Sequence, residues 1–143
     1  RVGMNSRLDT IQAAVLLEKL KIFADEINKR QVVADRYAEG LKGHVKRVPT
    51  VIEGGQSVWA QYVIEHEDRD GLQAHPTSQG VPTAVYYPVP IHEQDFCAAY
   101  RPPAGTLPVT EAASKHVIAL PMHPYLEEAD QAKIIDAVRT FNG

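Results

Sequence analysis

The sequence has 143 residues, of which 44% are hydrophobic and 23% charged, and this composition fits one globular domain that can bury a core. A formal net charge of −3 argues against nucleic-acid binding, because contact with a phosphate backbone requires clustered lysine and arginine. No apolar run approaches the roughly 18 residues of a membrane span. The single cysteine, Cys97, excludes an internal disulfide framework and indicates a half-buried free thiol, so we expect a cytoplasmic protein without membrane contact.

The opening of the chain places an amide and a guanidinium beside the start of a helix. Ser6 and Asp9 fit a capping box, and an apolar stripe follows them. Because the free N–H groups of a helix start attract anions, Asn5 and Arg7 could address one phosphate group there. The same residues can also act only as a cap, and both interpretations stay open. Nothing precedes this start to hold a ligand, which predicts a truncated chain.

The first predicted element is a helix over residues 7–43, in which apolar residues recur every three or four positions up to Gly40 or Gly43. At 1.5 Å per residue it would be about 50 Å long, more than a domain of this size can cover. We therefore predict a bend near residues 20–25, or packing on another chain. An irregular segment and then a strand rich in aromatic and β-branched residues follow, over residues 44–55 and 57–65.

The middle of the chain is rich in proline. A helix over residues 69–79 contains Pro76, which removes a helix hydrogen bond and clashes with the preceding turn, so this helix should be short, kinked or broken. A second strand is predicted over residues 83–87. Beyond it we expect an extended segment without regular structure, fixed by Pro88, Pro90, Pro102 and Pro103.

The end of the chain returns to regular elements. They are a helix capped by Thr110, a buried strand and an amphipathic helix, over residues 110–116, 117–120 and 127–141. The predicted fold class is α/β (α+β), with a long helical arm followed by a small sheet of about three strands and helices packed on it. We expect the arm to span residues 1–43 and a small domain to span residues 44–143.

Few residues have the spacing that catalysis or metal binding requires. None of the six histidines pairs with another as H-x-x-x-H or stands at zinc-finger spacing from the cysteine, so we predict no metal site. No G-x-S-x-G elbow presents a serine nucleophile. The lysines lie on helix faces or in turns, without the apolar neighbours that activate an amine. The sequence therefore predicts binding residues and no catalytic residue.

The best candidate for binding is the segment from Tyr86 to His92, Y-Y-P-V-P-I-H, which ends a strand in a turn bracketed by prolines. It presents two phenols and an imidazole as hydrogen-bonding groups or stacking faces. Because neighbouring strand residues point to opposite sides, one tyrosine of Tyr86 and Tyr87 should fill the core. The other should face outward, where it could contact a ligand.

An ordered series of motifs runs along the whole chain. They are G-x-N-S-R-L-D-T-I-Q-A-A-V-L, S-V-W-A-Q-Y-V-I, R-D-G-L, G-V-P-T-A-V-Y-Y-P-V-P-I-H, L-P-V-T-E and L-P-M-H-P-Y-L. The series resembles the C-terminal part of the DegT/StrS family of nucleotide-sugar aminotransferases, and is similar to UDP-sugar 3-aminotransferases of surface polysaccharide biosynthesis. The resemblance implies the C-terminal domain of the fold-type I aminotransferase fold. It also implies an enzyme in which pyridoxal 5'-phosphate moves an amino group from glutamate to a keto sugar nucleotide.

The resemblance assigns roles to four residues. Asn5 matches an asparagine that reaches the cofactor phosphate of the dimer mate, and Arg7 matches an arginine near the nucleotide diphosphate. Tyr86 and Tyr87 lie where similar enzymes hold the sugar nucleotide. Tyr86 departs from the histidine often found there, which places an acid-base role at this position in doubt. Pro76 is a second departure, and it concerns packing.

The family's Schiff-base lysine and the residues around the cofactor ring belong to a part that would precede Arg1. The resemblance therefore implies that the 143-residue chain is inactive by itself, does not retain the cofactor alone, and acts in a homodimer formed through the long helix. Two alternatives stay open. The chain could be a free-standing binding or dimerisation module, or part of a related sugar dehydratase in which histidine replaces the lysine.

Overall fold

A computed structural model describes residues 8–141. Their helices and strands, in chain order, are α1 (Thr10–Leu20), α2 (Phe23–Leu41), β1 (Tyr62–Glu65), α3 (Arg69–Ser78), α4 (Pro108–His116), β2 (Val117–Leu120) and α5 (Glu128–Arg139). Two 3-10 helices lie between α3 and α4, at Ile91–Glu93 and Asp95–Tyr100. None of the helices in this part of the chain combines the length and apolar character needed to cross a membrane.

The predicted helical arm forms two helices. The start differs from the prediction, because Leu8 and Asp9 are not helical and Asp9 is the cap, its Oδ1 accepting a hydrogen bond of 2.9 Å from the Gln12 amide. Ser6 lies outside the described residues. The helix is interrupted at Lys21 and Ile22, within the stretch where a bend is predicted.

The observed sheet has two strands in place of the predicted three. β1 and β2 pair antiparallel, with Tyr62 opposite Leu120 and Glu65 opposite Val117. The predicted strand over residues 83–87 makes a single bridge, Ala84 to Ala119, with N–H···O distances of 3.2 and 2.7 Å. Pro82 and Pro88 bracket this stretch and have no N–H to extend a ladder.

The strand predicted over residues 57–65 pairs only over its last four residues. Trp59 adopts φ 48°, which is incompatible with an extended strand, and its ring turns into the core with 8% exposure. Its indole Nε1–H donates to Gln31 Oε1 of α2 at 2.8 Å. Because of the bend at Trp59, this part of the segment does not pair as a strand and instead makes a hydrogen bond to α2.

Proline has different effects in α3 and in the segment that follows it. Pro76 is buried inside α3, which is short, as predicted, and ends two residues later at Ser78. The prediction of a segment without regular structure between Pro88 and Pro103 is wrong, because the two 3-10 helices form between these prolines. In α4, Pro108 occupies the first turn, where a missing N–H has no cost, so the helix begins before the predicted cap Thr110.

The core lies between the sheet, α2, α3 and α5. Tyr37 of α2 stacks on Tyr62 of β1 with ring centroids 4.9 Å apart, and both side chains are fully buried. The final helix is confirmed, and it buries Ile134 and Val138. Gln131 of α5 donates to the Val33 carbonyl of α2 at 2.7 Å, inside this core. α2 is thereby fixed to the sheet and to α5.

Candidate functional site

A cavity with a volume of about 780 Å³ is lined by the segment that the sequence singles out. Tyr86, Tyr87 and the two 3-10 helices form one wall, and α4 with the residue after it forms the other. The lining is mostly apolar, and its few polar groups include His92, Gln94 and Thr110. An apolar cavity with a few converging polar groups is typical of a small-molecule site.

Both predicted tyrosines face outward. Tyr86 is 43% exposed and Tyr87 is 69% exposed, and their rings meet edge to face with centroids 5.9 Å apart. The prediction that one of them fills the core is wrong, because the single bridge at Ala84 ends the strand before the alternation of sides can reach them. The two phenols therefore stand together at the cavity, where both can contact a ligand.

Asn5 and Arg7, the residues predicted to address a phosphate and a diphosphate, lie outside the described residues. The structure therefore brings together two of the four predicted site residues, Tyr86 and Tyr87.

His92 lines the same cavity as the tyrosines, close to Glu111 of α4 and to Arg101. Its Nε2 lies 3.8 Å from Glu111 Oε1, is buried, and has no hydrogen-bond partner among residues 8–141. Arg101 fixes the backbone here by donating to the carbonyls of His92 and Glu93 at 3.1 and 2.7 Å. The sequence motif identifies His92 but not Glu111 and Arg101, because no sequence pattern links these two residues to His92.

Glu111 also organises the loop that leads into α4. Its Oε1 accepts hydrogen bonds from the Gly105 and Leu107 amides at 3.2 and 3.4 Å. One ligand atom from each of His92, Glu93 and Glu111 lies within 4.8 Å of the others, a grouping that could hold a metal ion. The Glu111 oxygen already accepts hydrogen bonds from two backbone amides. In the structure, these contacts hold the wall of the cavity in place. The absence of a metal site stays a prediction.

All lysine side chains of the chain lie in the described part, and all of them are exposed. The hydrogen bond with Asp25 raises the pKa of Lys29 above its ordinary value, and the hydrogen bond with Asp130 does the same for Lys133. An amine that attacks a carbonyl needs the opposite setting, an apolar pocket that lowers its pKa. Lys29 and Lys133 are therefore solvated, charged groups.

Comparison with known proteins identifies the family. The DegT/DnrJ/EryC1/StrS aminotransferase family matches residues 1–139. The chain is 46% identical over 140 residues to the UDP-2-acetamido-2-deoxy-3-oxo-D-glucuronate aminotransferase of Pseudomonas aeruginosa, covering 98% of this chain and 38% of that protein. It thus spans well under half the length of this relative.

Two solved structures are similar over nearly the whole chain. A DegT DnrJ EryC1 StrS aminotransferase from Brucella abortus is 52% identical, with a TM-score of 0.91 over 100% of this chain and 38% of its own. S. venezuelae DesV, solved in complex with a ketimine intermediate, is 36% identical, with a TM-score of 0.90 over 97% of this chain and 38% of its own. Homologues in the family depend on pyridoxal phosphate. The resemblance read from the motifs is confirmed, and the chain belongs to the DegT/DnrJ/EryC1/StrS aminotransferase family.

Proposed function

We propose that this chain is the C-terminal segment of a pyridoxal-phosphate-dependent aminotransferase that moves an amino group from glutamate to a keto sugar nucleotide. The observation that carries the proposal is the match to a UDP-sugar aminotransferase over 98% of this chain but 38% of that enzyme. Residues 1–43 would complete a large domain and connect it to a small domain over residues 44–143. The remaining part of the enzyme would supply the rest of the active site.

In this proposal the cavity at Tyr86 and Tyr87 holds part of the sugar nucleotide. The paired phenols offer two hydrogen-bonding groups in a mostly apolar cavity, which suits a ligand with both hydroxyl groups and a flat ring. His92 adds a buried ring nitrogen without a partner in the described structure. These groups would bind and orient the substrate and exclude water from one side of it.

The cofactor would lie mainly against residues outside the described part of this chain. When bound, pyridoxal phosphate supplies the electron sink that transamination requires. The exposure of the lysines supports the view that the Schiff-base lysine belongs to the rest of the enzyme. Asn5 is the residue that we propose to reach the cofactor phosphate of the dimer mate, and Arg7 the one that we propose to bind the diphosphate.

A homodimer follows from the same proposal. α1 carries five large apolar side chains that the rest of the described chain leaves exposed, at Ile11, Val15, Leu16, Leu17 and Leu20. Exposed apolar side chains in this number fit a helix that the dimer mate and the rest of the enzyme cover together.

The deciding experiment starts from the DNA upstream of the Arg1 codon. We expect an in-frame continuation, and the encoded full-length protein should form 2-oxoglutarate from glutamate when given a UDP-linked 3-keto sugar. The 143-residue chain alone should form none. Turnover by the short chain, or an upstream stop next to a start codon, would contradict the proposal. Consumption of the sugar without glutamate would instead indicate a dehydratase.

The role of the tyrosines is tested in the full-length enzyme by Tyr87→Phe. Losing one hydrogen bond to the substrate should raise the KM for the sugar nucleotide by about fivefold and leave the KM for glutamate unchanged. An exposed phenylalanine in the second 3-10 helix, Phe96, does not line the cavity, so Phe96→Ala is the control. An unchanged sugar KM for Tyr87→Phe would remove this residue from the site.

A further inference from the structure

Glu26 is a buried carboxylate at the joint between α1 and α2. It lies in the first turn of α2, and only 5% of its surface is exposed. A buried carboxylate is unfavourable unless hydrogen bonds or opposite charges compensate for the lost water. The partners of Glu26 therefore determine whether this joint is stable in the observed arrangement.

Those partners come from two different parts of the fold. The Tyr125 hydroxyl, in the segment between β2 and α5, donates to Glu26 Oε1 at 2.8 Å. The Lys19 ammonium of α1 reaches the same oxygen at 3.5 Å. A third contact holds the phenol in place, since Lys29 lies over the Tyr125 ring with its Nζ 5.3 Å from the centroid. One carboxylate oxygen thus connects α1 to the folded core.

The directions of the pKa shifts of Glu26 and Tyr125 agree with this hydrogen bond. The hydrogen bond from Tyr125 is the main cause that lowers the pKa of Glu26. The same bond is the main cause that raises the pKa of Tyr125. At neutral pH the carboxylate is therefore charged and accepts, while the phenol is protonated and donates.

The rest of α1 offers few other ties to the described fold. It has no buried residue, and the Lys19 carbonyl accepts from the Ile22 amide at 3.2 Å across the interruption between the helices. In the described part of the chain, Lys19 to Glu26 is the side-chain hydrogen bond that leaves α1 for α2. Within the described part of the chain, the direction of α1 therefore depends on this joint.

We propose that Tyr125 is a positioning residue: through Glu26 and Lys19 it sets the direction of α1, the helix that follows Asn5 and Arg7 in the sequence. The roles of Asn5 and Arg7 in this inference rest on the proposed function. The part of the inference that concerns Tyr125, Glu26 and Lys19 does not rest on the proposed function, because their contacts lie entirely within the described fold.

The joint is tested first by amide hydrogen exchange on the 143-residue chain. Tyr125→Phe keeps the ring and removes the donor, and it should speed exchange of the Ile22 and Glu26 amides by about tenfold, the effect of one lost hydrogen bond to a charge. The control is Glu128→Gln, which removes an exposed carboxylate paired with Arg36. We expect exchange in β1 and β2 to stay the same in both variants. Unchanged exchange at the joint in Tyr125→Phe would overturn the proposal.

The second test uses the full-length enzyme. If α1 places the phosphate contacts, Tyr125→Phe should raise the KM for the sugar nucleotide and the dissociation constant of pyridoxal phosphate by about tenfold, while kcat at saturation changes less than about threefold. A merely structural role would lower kcat through the loss of folded enzyme and leave KM unchanged, and that result would overturn the positioning role. An inactive parent enzyme would instead refute the proposed function, while the exchange experiment still decides the joint.

Discussion

The two helices at the start of the described chain both carry large apolar side chains, but these side chains have opposite surroundings. α2 buries Val33, Ala34, Tyr37 and Leu41 against the sheet and α5, whereas α1 buries no residue. Leu17 of α1 is 63% exposed, and Leu41 of α2 is fully buried. Sequence periodicity therefore identifies the apolar positions of a helix, and only the tertiary structure decides what covers them.

The largest difference is expected from the same substitution made in each helix. Leu41→Ala opens a cavity in the core and should lower the free energy of unfolding by about 3 kcal/mol. Leu17→Ala in the same 143-residue chain should change it by less than about 0.5 kcal/mol, because the side chain is exposed. Urea unfolding followed by circular dichroism measures both. A large effect of Leu17→Ala would mean that α1 is already covered in the isolated chain, by a second copy.

Within the core that holds α2, two stacked tyrosines should respond in opposite directions. The Tyr37 hydroxyl donates to the Pro121 carbonyl at 2.8 Å, so Tyr37→Phe should cost about 1 kcal/mol. The buried Tyr62 hydroxyl has no partner among residues 8–141, so Tyr62→Phe should stabilise the chain by up to about 1 kcal/mol. The same urea titrations test this pair, and equal signs for the two variants would contradict the assignment.

The free energy of unfolding measured at alkaline pH gives an independent check on Tyr62. Burial raises the pKa of Tyr62 from 10.0 to about 12. The unfolded phenol therefore loses its proton at a lower pH than the folded one, so the free energy of unfolding does not depend on this group below pH 10.0 and falls as pH rises from 10.0 to about 12. Tyr62→Phe should lose less stability than the parent over this interval. Parallel curves for the two proteins would count against a titrating Tyr62.

The joint between the helices should be sensitive to acid. Hydrogen bonding to Tyr125 lowers the pKa of Glu26 below its ordinary 4.5, so the unfolded chain binds this proton more readily than the folded one. The contribution of Glu26 is present above pH 4.5 and is lost as pH falls through the lower folded value. Urea midpoints measured from pH 6 down should fall less steeply for Glu26→Gln than for the parent. Identical slopes would show that the carboxylate does not titrate at the joint.

The smallest effect is expected at the exposed end of the contact between α2 and α5. Arg36 and Glu128 are paired at 2.9 Å, and the Glu128 side chain is 78% exposed. Solvent-exposed ion pairs contribute little, so Glu128→Gln should change the free energy of unfolding by less than about 0.5 kcal/mol. A change as large as that of Leu41→Ala would mean that α2 is held by charge rather than by burial.

The regular elements were predictable where local patterns decide them. The β2 strand and α5 agree with their predicted positions because an unbroken apolar run and a helical period define them. The start of α1 was misplaced because Ser6 and Asp9 are both good caps, and local rules do not rank them. The third strand was overpredicted because propensity at residues 83–87 favours extension but does not supply a ladder partner.

The candidate site was predictable in part for the same reason. The proline-bracketed motif identified Tyr86, Tyr87 and His92, since unusual backbone chemistry is visible in the sequence. Glu111 and Arg101 were missed because their contacts to the His92 segment depend on how an irregular, proline-rich stretch folds back, which no sequence pattern specifies. The joint at Glu26 was also missed, because its donor Tyr125 lies far along the chain from the carboxylate.

The bend at Trp59 has a consequence for any optical experiment on this molecule. Trp59 is the only tryptophan in the sequence, and its indole is buried with its N–H bonded to Gln31 of α2. Its intrinsic fluorescence will therefore shift to longer wavelength when α2 leaves the core and water reaches the ring. Movement of α1 alone will leave the emission unchanged. The chain thus carries a native fluorophore that reports on α2 and not on α1.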